Sequence, residues 1–102
     1  MPGEVFSFEV VTTGDVQVVA LRGELDVANA DVVKGALLSA KARVVVVDLS
    51  ALTFIDSSGL TAIVHGHNDL TARGCGFELR GASEDIRRVF ELTGLTDLLV
   101  DR

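Results

Sequence analysis

Residues 53–64 read TFIDSSGLTAIV, in which two adjacent hydroxyls, Ser57 and Ser58, follow the carboxylate of Asp56 and precede Gly59 and Leu60. Three kinds of chemistry suit such a cluster: capping of a helix start, nucleophilic attack, or acceptance of a modifying group. A nucleophile of the elbow type needs G-x-S-x-G and a histidine base held by a carboxylate. Here the context is D-S-S-G, and the chain's two histidines, His65 and His67, stand two residues apart, where a helix sends them in different directions. That spacing also argues against a shared metal. No catalytic residue, metal ligand or cofactor is expected, and chemistry at the serines is read as done to this protein. Capping and modification are compatible. Asp56 or Ser58 can accept an orphan backbone N–H, a contribution of about 0.5–2 kcal/mol, while Ser57 points outward.

The elements that must position these residues follow from periodicity. Val5 to Thr12 alternates loosely, Thr13-Gly14-Asp15 signals a turn, and Val16 to Arg22 reads as a second strand. So short a link makes the pair an antiparallel hairpin, because a parallel pair needs a crossover. Gly23-Glu24-Leu25-Asp26 then reads as a polar break. From Asn29 to Lys41, Val32, Val33, Ala36, Leu37 and Ala40 recur at helical spacing, with Asn29 or Asp26 available as cap. The β-branched run Val44 to Val47 suits a central strand buried on both faces. Leu60, Ile63, Val64, His67 and Leu70 mark one face of a second helix, so the serines fall at its start.

Arg73-Gly74-Cys75-Gly76 ends that helix, and Phe77 to Arg80 is a short strand. Ser83 caps a third helix with Glu84 and Asp85 in its first turn, Ile86, Val89 and Phe90 facing inward, and Leu92 and Leu95 as helix-end contacts. Leu98-Leu99-Val100 either pairs at the sheet edge or covers the core. The fold class is therefore α/β: a mixed, mostly parallel sheet of four to five strands with helices packed on it, in the order β-β-α-β-α-β-α. Parallel strands end on a common edge, so Asp26 and Asp56 should lie close together there, where open α/β sheets place their ligands.

Composition narrows the partners. The 102 residues suit one domain, residues 1–102, and 48% hydrophobic residues can form a core. A net charge of −6 disfavours nucleic acid and anionic membranes. A lone cysteine, Cys75, cannot form an internal disulfide and fits a turn in a reducing compartment. The start, MPGEVFSF, lacks the features of a signal peptide, and no run is long enough to span a membrane, so a cytoplasmic location is expected. Arg87 and Arg88 read as a solvated helix face, and His67 as a packed residue beside a solvated His65.

With these residues in place the chain resembles the STAS domains, and among them the bacterial anti-sigma-factor antagonists. The carriers are GELDVANA at 23–30, VVVDLSALTFIDSSGL at 45–60 and VFELTGL at 89–95. The resemblance implies that Ser57, directly after the aspartate of the D-S-[ST]-G-L motif, is phosphorylated by a serine kinase that is itself the anti-sigma factor. Ser58 is the alternative acceptor. It further implies that the unphosphorylated form binds the kinase and frees a sigma factor, and that a serine phosphatase resets the phosphorylated form. Glu24, Asp26, Asp56, Ser57, Ser58, Gly59 and Leu60 are the expected partner contacts. The alternative within the fold is an unphosphorylated binding module of a transport complex or a stress-signalling scaffold.

Overall fold

The computed structural model describes residues 5–100, so the first residues of MPGEVFSF lie outside the described part. Two strands, β1 (Ser7–Thr13) and β2 (Val16–Leu25), form the hairpin around Gly14, which takes φ of 59°, a left-handed value that suits glycine. Helix α1 (Ala30–Leu38), β3 (Val44–Ile55), α2 (Ser57–Ala72), β4 (Gly76–Arg80) and α3 (Glu84–Leu92) follow, then a 3-10 turn at Thr96–Leu98. The sheet order is β1-β2-β3-β4, antiparallel between β1 and β2 and parallel in the other two pairs. The expected order of elements is therefore the observed one. Leu98-Leu99-Val100 adds only a single bridge, Leu99 to Leu79.

One face of the sheet is covered. Val19, Leu21 and Leu25 of β2, Val45, Val47, Leu49, Leu52 and Ile55 of β3, and Leu79 of β4 are buried on it. All three helices add to the same core, through Val33 and Leu37, Leu60, Ile63 and Leu70, and Ile86 and Phe90. The opposite face carries the row Glu9, Ala20, Asp48 and Arg80 across the four strands, all exposed or half-buried. Burial of the apolar face, at roughly 25 cal/mol per Å² removed from water, is the main force setting the strand register.

Several boundaries differ from the sequence reading, each for a local reason. β2 continues through Gly23-Glu24-Leu25, and β3 runs eight residues beyond Val47 to Ile55. Two register shifts, between Ala20 and Arg22 and between Gly23 and Glu24, give β3 extra residues there. Side chains supply the bonds a bulge removes. Ser50 donates from its backbone N–H and its hydroxyl to Asp48 Oδ1 at 3.0 and 2.7 Å, and the Thr53 hydroxyl donates to Gly23 O at 3.1 Å. Polar residues that resemble a strand end thus belong to a bulged strand.

Helix α1 stops at Leu38, short of Lys41, and Arg73 from the end of α2 engages carbonyls at and just beyond its end. The guanidinium donates to Ala40 O at 3.1 Å and Leu38 O at 3.3 Å while pairing with Asp69 at 3.0 Å. Val32 is 55% exposed, so it is not the core contact its spacing suggests, and Leu92, 79% exposed, does not make the expected helix-end contact. His67 is half-buried with its ring edge-on to Phe77 at 5.4 Å, and His65 is exposed, as expected.

The α1–α2 contact depends on Gly66, where a Cβ would lie 2.5 Å from Leu37 Cδ1 and 2.9 Å from its Cβ. Leu37 is fully buried and has no room to move. Overpacking of this kind costs about 1–3 kcal/mol, against about 1 kcal/mol gained in helix propensity. Gly35, exposed on α1, would place a Cβ in open space. Urea melts should show Gly66→Ala less stable than wild type and Gly35→Ala more stable by about 0.5–1 kcal/mol. Equal behaviour of the two variants would contradict this packing.

Candidate functional site

The site forms where β2 and β3 end together. Leu25 and Ile55 are the last paired residues, and the next backbone N–H, that of Asp56, donates to Leu25 O at 3.2 Å. The turn after β2 is thereby joined to the turn after β3. The first turn is closed by Asp26, whose carbonyl accepts from the N–H groups of Asn29 and Ala30 at 3.1 and 2.9 Å. Asp26 Oδ1 accepts from Ala28 N–H at 3.0 Å. Asn29 occupies the cap position of α1, yet its Oδ1 accepts from Asp26 N–H at 2.9 Å and its amide donates to Glu24 O at 3.3 Å. Its side chain therefore braces the Asp26 turn and does not cap the helix.

Asp56 is the cap of α2. Its backbone is extended and its Oδ1 accepts from Gly59 N–H at 3.0 Å, which satisfies one orphan donor of the first turn. Ser57 is therefore released from capping. It is the first helical residue, its side chain is exposed, and among the described residues no hydrogen bond engages its hydroxyl or that of Ser58. Its carbonyl accepts from the Thr61 hydroxyl at 2.8 Å, one turn along. Ser58 is half-buried.

Gly59 and Leu60 are both buried beneath the serines, so they support the helix start from below. A Cβ at Gly59 would lie 2.8 Å from Leu25 Cγ and 2.9 Å from Ile55 Cγ1, so glycine is what lets the helix start press onto the strand ends. Leu60 joins the core. Glu24 is half-buried at the end of β2, and Asp26 and Asp56 are half-buried at the turns. The D-S-S-G spacing thus sets one capping carboxylate beside a free hydroxyl, and the end of the β2–β3 ladder adds the Asp26 turn next to them.

Two clefts that the sequence does not announce meet at Ser57. One, of about 310 Å³, lies between α1 and α2 and is lined by Val27, Asp31, Lys34, Ser58, Thr61 and His65 along with Ser57. The other, of about 290 Å³, lies between α2 and the end of α3 and is lined by Leu60, Val64, Thr93 and Leu95 beside the same serine. Ser57 therefore lines both a mixed cleft that holds Asp31 and Lys34 and a mostly apolar one. Lys34 could be placed next to the packed stripe of α1 from spacing alone, but its neighbour across the groove depends on how α1 meets α2. Among the described residues no three His, Cys, Asp or Glu side chains gather as a metal site, and no helix is long and apolar enough to cross a membrane.

Comparison with known proteins agrees with this architecture. Residues 7–101 match the STAS domain, and the chain belongs to that family. It is 36% identical over 80 residues to the anti-sigma-B factor antagonist of Listeria monocytogenes, a span covering 76% of this chain and 70% of that one. The unphosphorylated anti-sigma factor antagonist SpoIIAA superimposes with a TM-score of 0.78 at 25% identity, covering 96% of this chain and 88% of that one. The phosphorylated form of Bacillus SpoIIAA superimposes with a TM-score of 0.74 at 25% identity, covering 96% and 91%.

The cap makes its own prediction. Asp56→Ala should lower stability by about 0.5–2 kcal/mol, and Asp56→Asn, which keeps an acceptor in place, should lose much less. Denaturant melts of the two variants measure the difference, and equal losses would mean that the Asp56–Gly59 bond does not hold the helix start.

Proposed function

We propose that this protein is an anti-sigma-factor antagonist that binds an anti-sigma-factor serine kinase when Ser57 is free and is released when Ser57 is phosphorylated. The observation that carries the proposal is the exposed Ser57 hydroxyl, unengaged at the start of α2 because Asp56 supplies the cap. Relatedness to anti-sigma-B factor antagonists and likeness to SpoIIAA, known in phosphorylated and unphosphorylated forms, support the same reading. Ser58, half-buried in the cleft, is the less accessible acceptor.

In the transfer itself the γ-phosphoryl of ATP passes to Ser57 Oγ, the hydroxyl proton goes to a base of the kinase, and ADP leaves. The kinase brings nucleotide and magnesium; this chain is the substrate and not an enzyme. Phosphoserine adds about 1.5–2 negative charges and three strong acceptor oxygens. Beside Asp56 and Asp26 this deepens an acidic edge and repels an acidic group on the partner, so binding is lost through like-charge contact. A helix start tolerates the anion, so the domain stays folded. A serine phosphatase of the same cytoplasm removes the phosphate and restores binding.

Incubation with ATP and the anti-sigma-factor kinases of its own cell, followed by intact-mass and fragment mapping, should place one phosphate on Ser57 and none on Ser57→Ala. Ser57→Asp should bind the kinase at least about tenfold more weakly, a loss of about 1.4 kcal/mol or more, with an unchanged thermal melt. Phosphate on another residue, or tight binding by a folded Ser57→Asp, would sink the switch and favour a constitutive binding module of a transport or stress-signalling assembly.

A further inference from the structure

The α1–α2 cleft beside Ser57 is lined by a cation as well as by the serine. Asp26 and Asp56 crowd the strand ends, and Asp31 enters the cleft from α1. Lys34, one turn along α1 from Asp31, is the only lysine or arginine among the described residues that lines the cleft. Its side chain is half-buried, and among the described residues no ion pair or hydrogen bond occupies its ammonium, although Asp31 stands three residues away on the same helix. The flexible four-carbon stem lets such a point charge turn toward an anion on the cleft wall.

We propose that Lys34 is the internal counter-ion of phosphorylated Ser57: its ammonium turns into the cleft and pairs with the phosphoryl oxygens. The inference rests on Ser57 being the phosphoacceptor. A phosphate at this position would otherwise add negative charge next to Asp56 and to a cleft that Asp31 also lines. Pairing with Lys34 favours the doubly charged form. It also alters what a partner meets, because the cation that an acidic group of the partner could contact in the unphosphorylated protein is withdrawn into the cleft. The switch then acts twice, by adding negative charge and by removing an available positive one. His65, two turns along α2 from Ser57, also lines this cleft.

The test is a phosphorus-31 NMR titration of the full chain with phosphoserine installed at position 57 during translation, so that no kinase is needed. The second ionisation of the phosphoserine should lie about half a unit higher in Lys34→Met than in the otherwise wild-type protein, the scale expected of a partly exposed pair. Lys34→Arg, which keeps the charge, should restore the lower value, and the difference should shrink at high salt. Lys41→Met, which removes a lysine beyond the opposite end of α1, should leave the titration unchanged. Identical titrations for wild type and Lys34→Met, or an equal shift from Lys41→Met, would overturn the pairing. Thermal melts establish that each variant is folded. Since the phosphate is installed independently, this result can fail while kinase mapping still places phosphate on Ser57, and the reverse outcome is equally distinct.

Discussion

The site depends on the parallel ladder between β2 and β3 reaching its last pair, Leu25 opposite Ile55. That register places the Asp56 N–H against Leu25 O and so ties the entrance of α2 to the exit of β2. Two bulges intervene along β3, and each is satisfied locally, by Asp48 and Ser50 in one case and by Thr53 in the other. Had the ladder slipped by one residue, the buried leucines would have changed face and Asp56 would have lost its acceptor. Gly59 completes the constraint, since any larger residue would drive the helix start off Leu25 and Ile55.

This arrangement concentrates acidic groups at one end of the sheet and leaves the core apolar. Among the described residues no charged or polar side chain is fully buried, so stability comes from apolar burial and charge is confined to surfaces and turns. Surface charges interact modestly and are screened by salt. A single unit charge therefore matters little to folding, yet the same charge at a contact with a partner is desolvated and counts for much more.

The legible parts of the fold were those set by strong periodicity: the hairpin, the buried valines of β3, the faces of α2 and α3, and the glycines that end them. The length of β3 was not legible, because Asp48 and Ser50 have the composition of a strand end and only their mutual hydrogen bonds show that they serve a bulge. Val32 and Leu92 misled because apolar residues at helical spacing also occur beside the packed stripe, and which side meets the sheet depends on helix rotation. At the site, the proximity of Asp26 and Asp56 followed from parallel topology alone. Leu60 was legible as part of the packed face of α2, whereas the burial of Gly59 arises from the approach of α2 to the strand ends. The two clefts beside Ser57 depend on packing between elements distant in sequence and leave no local signature.

The separation of duties between neighbouring residues means that a group added to Ser57 would not remove the cap of α2. If Ser57 itself capped α2, modifying its hydroxyl would remove the cap at the moment the charge arrived, and the helix start would loosen. Asp56 takes that duty instead, with Oδ1 on Gly59 N–H, while Gly59 and Leu60 fix the backbone from below. Ser57 therefore contributes no side-chain bond to the folded state that phosphorylation could break. A charge added there acts through the electrostatics of the surface, on neighbouring groups of the chain and on whatever binds beside them.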